Sequence, residues 1–398
     1  MAPSLPGGRA AARPAREEYR VVIVGAGVLG LFTAYHLARA GAGPILVADR
    51  GYLSGGASGR NGGGIRQQWE TNETVRLARE SVAAYRRFGS EFGYNIWFRQ
   101  GGYLFVAMDR SEAAALDRMC SAVSGEGLPI RRLNVSEVER RVPGIDPTGI
   151  VGGTYLSTDG TAYPFPVVWG LYEAIRSLGV EVDLGLEVTG VEQRDGRVTG
   201  VRTPSGALRT GTVVNAAGGW SGELARRAGL TPLSSASRHE ILALEAVKPF
   251  LDPMVVRLRD GLYFSQIMRG EVVGGLAVRH PPGTAGGMSS SVRFLGEMAR
   301  ALTTLLPRLA ALRVLRAWSG FYDDTPDGLP VLGEDPRLGG FFHANGFGGH
   351  GFMLAPAGGR RVALAVLGDR SDLDPRRFGP GRFLGPGAAR PVERIQLG

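Results

Sequence analysis

Val21-Val22-Ile23-Val24-Gly25-Ala26-Gly27-Val28-Leu29-Gly30 is the stretch on which the reading of this chain turns. Its apolar, mostly β-branched start predicts a short buried strand, and the apolar spacing of residues 31–40 predicts a helix ended by Gly41. A second apolar strand over residues 45–48 ends at Asp49, nineteen positions after Gly30. Strand, glycine turn, helix, strand and acidic residue supply the context that makes a G-x-G-x-x-G pattern a dinucleotide site. Gly25 permits the tight turn, Gly27 admits a pyrophosphate against the backbone, and Gly30 lets the helix pack on the strand. Ala26, Val28 and Leu29 bring the helix N-terminus, with its free amides and positive dipole, to the phosphates. Asp49, followed by Arg50, marks the adenosine end, where a carboxylate accepts hydrogen bonds from ribose hydroxyls.

That motif serves nicotinamide and flavin cofactors alike, so the choice rests on other glycines. The chain has 62 of them, concentrated near residues 25–30, 55–64, 218–219 and 346–351. Such runs suit backbone that approaches a ligand closely. Gly55-Gly56-Ala57-Ser58-Gly59-Arg60-Asn61-Gly62-Gly63-Gly64 has no role in an ordinary nicotinamide domain, whereas a flavin needs a second loop over the pyrophosphate and isoalloxazine. The balance falls to FAD. Asn345-Gly346-Phe347-Gly348-Gly349-His350-Gly351-Phe352-Met353 precedes an apparent helix, and its amides could stabilise negative charge at the flavin N1 and O2 edge. The alternative for this stretch is a tight loop between strand and helix. Val188, at the start of a predicted hairpin, and Ala217 and Gly218, after a buried strand, complete the expected cofactor contacts.

Elsewhere the apolar spacing predicts helices over residues 73–88, 111–123, 164–178 and 292–306, and strands over 101–107, 180–184 and 212–215. Residues 187–202 read as a hairpin turning at Asp195-Gly196, and strands dominate 240–278. With 43% hydrophobic and 21% charged residues, the chain can build a large core. The net charge of +9 comes almost wholly from arginine, Lys248 being the sole lysine. These arginines are scattered among acids without a nucleic-acid-binding signature, so no nucleic-acid partner is expected. Cys120 is the single cysteine, which excludes an internal disulfide or a cysteine-based metal site and suits a reducing cytoplasm. Residues 1–18 lack the apolar run of a secretory signal and read as a disordered leader. No apolar run approaches the ~20 residues of a membrane span.

Longer stretches carry a resemblance: Gly59-Arg60-Asn61-Gly62-Gly63-Gly64-Ile65-Arg66-Gln67-Gln68-Trp69, Trp318-Ser319-Gly320-Phe321-Tyr322-Asp323-Asp324-Thr325-Pro326-Asp327-Gly328, and the loop 346–353. Over residues 20–366 the chain resembles the D-amino-acid oxidase-like (DAO) FAD-dependent oxidoreductases. Within them it is most similar to β subunits of sarcosine oxidase and dye-linked L-proline dehydrogenase and to related glycine- and opine-oxidising subunits.

The resemblance implies an α/β (α+β) fold with a discontinuous Rossmann-type FAD-binding domain and a substrate domain on a mixed β-sheet. Residues 19–98, 151–229 and 322–366 fall to the first, residues 99–150 and 230–321 to the second, and 367–398 form an irregular tail. The implied chemistry is removal of a hydride from the carbon beside an amine, giving an imine that water hydrolyses. The electron acceptor is oxygen or a partner subunit of a hetero-oligomer.

By position in the family, Arg66 contacts the flavin or a substrate carboxylate, its alternative being a surface ion pair. Tyr322 reaches the substrate. Tyr263 and His280 lie on the roof of the site or simply pack, His239 is either a pocket or a structural residue, and His350 contacts cofactor. Three residues depart from the monomeric sarcosine oxidases. Gly320 stands where those enzymes bond covalently to flavin through cysteine, Ala277 where they carry a lysine for oxygen reduction, and Met353 where a lysine holds the carboxylate. Noncovalent FAD follows, and a dehydrogenase or slow oxidase is favoured. A noncatalytic flavoprotein and a nicotinamide enzyme are the remaining readings.

Overall fold

The computed structural model describes residues 14–278, 287–369 and 374–385. The strand Val21–Val24 is central to a six-stranded sheet ordered Val331–Glu334, Phe341–Asn345, Val213–Asn215, Val21–Val24, Ile45–Asp49, Glu181–Leu184. Its pairings are parallel except at the Val331–Glu334 edge. Sheets of this kind are covered on both faces, which is why their strands read as unbroken apolar runs.

The helix Val28–Arg39 follows the first strand, and the helix Gly351–Val366 packs across it through glycine. A Cβ on Gly359 would stand 2.6 Å from Phe32 Cβ and 2.9 Å from the Thr33 amide. That close approach holds the N-termini of both helices at one cavity.

An eight-stranded sheet forms the second layer, ordered Val314–Asp324, Ser235–Leu244, Val272–Leu276, Leu262–Gln266, Met254–Arg257, Tyr103–Ala107, Gly152–Leu156, Arg131–Leu133. Neighbours are antiparallel except Met254–Arg257 against Tyr103–Ala107, so the sheet is mixed as expected. Alternation sorts its side chains. Leu104, Leu242, Val255 and Phe264 face the helix Val292–Leu305, whereas Tyr103, Phe105, Ile241 and Tyr263 join the core shared with the first sheet.

The expected hairpin is present, Gly190–Arg194 with Arg197–Thr203, and Asp195 (φ 52°) and Gly196 (φ 71°) carry the two positive φ angles of its turn. Several boundaries move. Gly152–Leu156 pairs with both Tyr103–Ala107 and Arg131–Leu133, so the chain remains in the second sheet past the expected change at 151. Val314–Asp324 likewise stays there beyond 322. Both extensions come from pairing with distant strands, which leaves no trace in local periodicity.

The ends are also corrected. Glu17 and Glu18 run beside Arg209, so the expected leader docks before residue 19. Within the expected tail, Pro380–Phe383 forms a short helical turn, with Phe378 and Arg382 buried. Among the described residues no helix is long and apolar enough to cross a membrane.

Candidate active site

A cavity of about 510 Å³ is lined from both sheets. On the first glycine turn, Gly25 has φ 113° and its Cβ would meet Ala216 O at 2.3 Å, while a Cβ on Gly30 would meet Gly25 O at 2.0 Å. These two glycines answer to packing, and Gly30 does not line the cavity. Gly27 differs: a Cβ there would meet only Ser58 Oγ, at 3.1 Å. The Val28 amide donates to that hydroxyl at 2.9 Å, and the next amides of the first turn have no carbonyl of their own helix to meet. Gly25, Ala26, Gly27, Val28 and Leu29 thus form a cradle for an anion.

Asp49, expected to accept from ribose hydroxyls, lines the cavity too. Its two oxygens accept from the Ala26 and Gly51 amides, each at 2.8 Å, so the carboxylate also braces the glycine turn. Arg50 stacks over Trp220 at 4.7 Å. Arg227 donates to Val188 O at 2.7 Å and pairs with Glu187 and Glu223. Trp220, Arg227 and these two acids line the cavity beside Val188, Ala217 and Gly218. Sequence reasoning missed all four, because no spacing rule links residues on separate elements.

The second loop is clamped to the second sheet by Arg60. Its Nε donates to Gly55 O at 2.9 Å, its Nη1 donates to Ser319 O at 3.1 Å, and its carbonyl accepts from Trp318 Nε1 at 2.9 Å. Asn61 donates to Ser58 O and accepts from the Gly63 amide, both at 2.8 Å. Ser58, Arg60, Asn61, Gly62 and Gly64 line the cavity, whereas Gly63 is a turn residue whose Cβ would meet Ala162 O at 2.1 Å.

Strand register builds the roof. Gly275 lies opposite both Ile241 and Tyr263. Without a side chain there, the Tyr263 ring lies across its neighbour strand, where a Cβ would be 2.6 Å from its hydroxyl. His239 pairs with Gly320 and Ser237 with Tyr322, so the next rings align. His239 stacks on Tyr322 with centroids 4.4 Å apart and on Tyr263 at 5.8 Å, both nearly parallel. All three rings line the cavity. Burial pushes both phenols upward, so both are protonated at neutral pH, and one of the two hydroxyls donates to the other.

On the third loop the Gly346 amide donates to Asp323 Oδ2 at 2.7 Å and the Gly348 amide to Asp323 O at 2.9 Å. Burial raises the Asp323 carboxyl from its ordinary 3.8 to about 7. A Cβ on Gly349 would meet Tyr322 Cζ at 2.7 Å, so the tyrosine ring rests on the loop. Gly346, Gly348, Gly349, Gly351, Phe352 and Met353 line the cavity.

Arg66 and His350 do not; they stand behind this wall. Arg66 is 1% exposed, which removes the surface ion pair as its role. It donates to Gln68 O at 2.7 Å and to His350 Nε2 at 3.1 Å, and lies 3.9 Å over Trp69. A guanidinium only donates, so His350 Nε2 accepts and its ring proton sits on Nδ1. Arg66 and His350, expected to contact ligand, meet each other here. Ala277 is exposed and away from the cavity, and His280 lies outside the described residues.

The cavity runs from Asp49 and Trp220, past the cradle at Gly27, to the three stacked rings, which gives room for an elongated ligand with an anion at its middle and a ring system at each end. FAD has all three, and the open cradle over Gly27 fits its pyrophosphate. The comparisons agree. The family described as FAD dependent oxidoreductase (DAO) matches residues 20–365. Sarcosine oxidase subunit beta of Rhodobacter capsulatus is 31% identical over 392 residues, covering 95% of this chain and 92% of that one. Glycine oxidase of Pseudomonas putida is 30% identical, covering 92% and 99%. The crystal structure of L-proline dehydrogenase from P. horikoshii superposes with a TM-score of 0.86 at 30% identity, covering 92% of this chain and 98% of that one. The chain belongs to the DAO family of FAD-dependent oxidoreductases, and FAD is its cofactor.

Proposed function

We propose that this enzyme oxidises the carbon–nitrogen bond of an amino acid or secondary amine, of the sarcosine, glycine, proline or opine kind, to an imine. The observation that carries this reading is the roof: Tyr263, Tyr322 and His239 stacked above a glycine-lined floor that has no lysine. When bound, FAD supplies the hydride acceptor.

The chain's own residues do the rest. Tyr263 and Tyr322 share one hydrogen bond, which leaves one phenol proton of the pair for a substrate carboxylate, and His239 fixes the plane of both rings. Met353, Ile241 and Met254 add apolar surface that disfavours a charged ammonium and so favours the neutral amine. Arg66 acts through His350 and Trp69 as a positioning residue for the third loop. Gly320 offers no side chain for covalent attachment, and Cys120 lies on the helix Arg110–Gly125 outside the cavity, so FAD is held noncovalently at that wall.

A second reading, a flavin-bearing subunit that hands electrons to a partner, is favoured by the β-subunit name of the Rhodobacter relative. An anaerobic screen of amino acids, N-methyl amino acids, proline and opines tests the main reading. One class should bleach the visible flavin band, and silence across the panel would refute it. Reoxidation by air against reoxidation by a dye then separates oxygen from another acceptor.

A further inference from the structure

Residues 374–384 play no part in the cavity lining, yet they grip residues 327–332, which adjoin its third loop. The Leu332 amide donates to Phe378 O at 2.8 Å, and Phe378 is buried. Arg382 is 6% exposed and meets the fully buried Asp327 through Nε to Oδ2 at 2.7 Å and Nη2 to Oδ1 at 3.0 Å. Nη2 also donates to Leu329 O at 2.7 Å, and Nη1 donates to Phe378 O at 3.0 Å and Gly379 O at 3.2 Å. The guanidinium has five N–H groups, and these five contacts occupy them. A buried pair gains little net stability after desolvation, so its contribution is better sought in the geometry it imposes.

That geometry belongs to residues 325–330. Asp327 Oδ1 accepts from the Leu329 amide at 3.1 Å, and Thr325 Oγ1 donates to Leu329 O at 2.9 Å. Thr325 Cγ2 and Val331 Cγ2 are in turn the atoms a Cβ on Gly346 would meet, at 2.5 and 3.0 Å. Contact therefore passes from Arg382 through Asp327, Leu329 and Thr325 to Gly346, a residue of the cavity wall.

We infer that residues 374–384 are a latch that sets the position of the third glycine loop against FAD, with Arg382 as its positioning residue. This goes beyond the proposed substrate class and rests only on the chain's binding FAD.

The test is the rate of FAD release from purified holoprotein, followed as the rise of free-flavin fluorescence well below each variant's melting temperature. Arg382→Met should release FAD at least tenfold faster than wild type, and Arg382→Lys, which keeps the charge but not the fork, should fall between. Arg257→Met breaks another ion pair of a buried arginine, Arg257 with the half-buried Asp260 at 2.6 Å on the turn after Met254–Arg257, and should lower the melting temperature without changing release. If Arg382→Met alone fails to fold, the double variant Asp327→Asn/Arg382→Met, which leaves no orphaned charge, decides by the same tenfold criterion. Release within twofold of wild type in the folded Arg382 variant would overturn the latch. So would acceleration by Arg257→Met equal to that by Arg382→Met. Because release is measured without substrate, a failure here leaves the amine-oxidising reading intact.

Discussion

The glycine turn at 25–30 and the glycine loop at 346–353 both lead into a helix N-terminus at the same cavity, yet they are held by different means. In the turn, the atoms that forbid a side chain are backbone: Ala216 O over Gly25 and Gly25 O over Gly30. In the loop they are mostly side chains from elsewhere, Thr325 and Val331 over Gly346 and Tyr322 over Gly349. Backbone crowding is met by almost every protein that builds the same turn, so the first region makes a transferable motif. Side-chain crowding is particular to one chain, and it ties the second region to the roof and to the C-terminal segment.

The comparison can be broken most forcefully at Gly25. Gly25→Ala places a Cβ 2.3 Å from a carbonyl oxygen at φ 113°, and neither partner can yield. A loss above about 4 kcal/mol is expected, seen as colourless, poorly folded protein. A stable yellow Gly25→Ala variant would end the distinction. Gly346→Ala should be milder and partly reversible. Its clash is with a methyl group, so Thr325→Ser, which keeps the hydroxyl bonded to Leu329 O, should recover part of the lost FAD affinity. The residual strain at φ 73° costs about 1–2 kcal/mol, leaving affinity roughly tenfold weaker. No recovery in titrations of FAD binding would place both regions in one class.

Smaller effects sharpen the picture of the roof and loop. Tyr263→Phe keeps the ring on Gly275 and removes one donor; kcat/KM should fall about two- to tenfold with FAD binding unchanged. A pH series probes the carboxylate under the loop. Asp323 titrates at 3.8 unfolded and about 7 folded, so the native state binds its proton more tightly, and the folding stability it contributes is lost as pH rises from about 4 to 7. Asp159, raised to about 7 by burial despite hydrogen bonds from Gln67 and Gln68, adds in the same direction. Melting temperature should therefore decline less steeply over this window in Asp323→Asn than in wild type, and equal slopes would contradict the assignment.

What could be read from the sequence follows the same division. The strand at 21–24, the turn at 25–30, Asp49 and the Asp195-Gly196 hairpin were legible because each is fixed by local φ angles and periodicity. The family resemblance extended this to the second and third glycine loops and to the two roof tyrosines. It did not extend to Trp220 and Arg227, to Gly275 beneath Tyr263, or to Arg382 on Asp327. Each of those depends on register or on a contact between segments tens of residues apart. Arg66 shows the limit most plainly, since its matched position said nothing of its burial or of its contacts with Gln68 and His350.

The central claim is that this cavity brings an amine to FAD beneath the tyrosine roof. It is tested most directly by anaerobic single turnover: holoprotein is mixed with the most effective amine of the screen, and flavin reduction and the carbonyl compound released by imine hydrolysis are both quantified. One carbonyl per flavin reduced is the predicted result. Flavin reduction without a matching carbonyl product would contradict it.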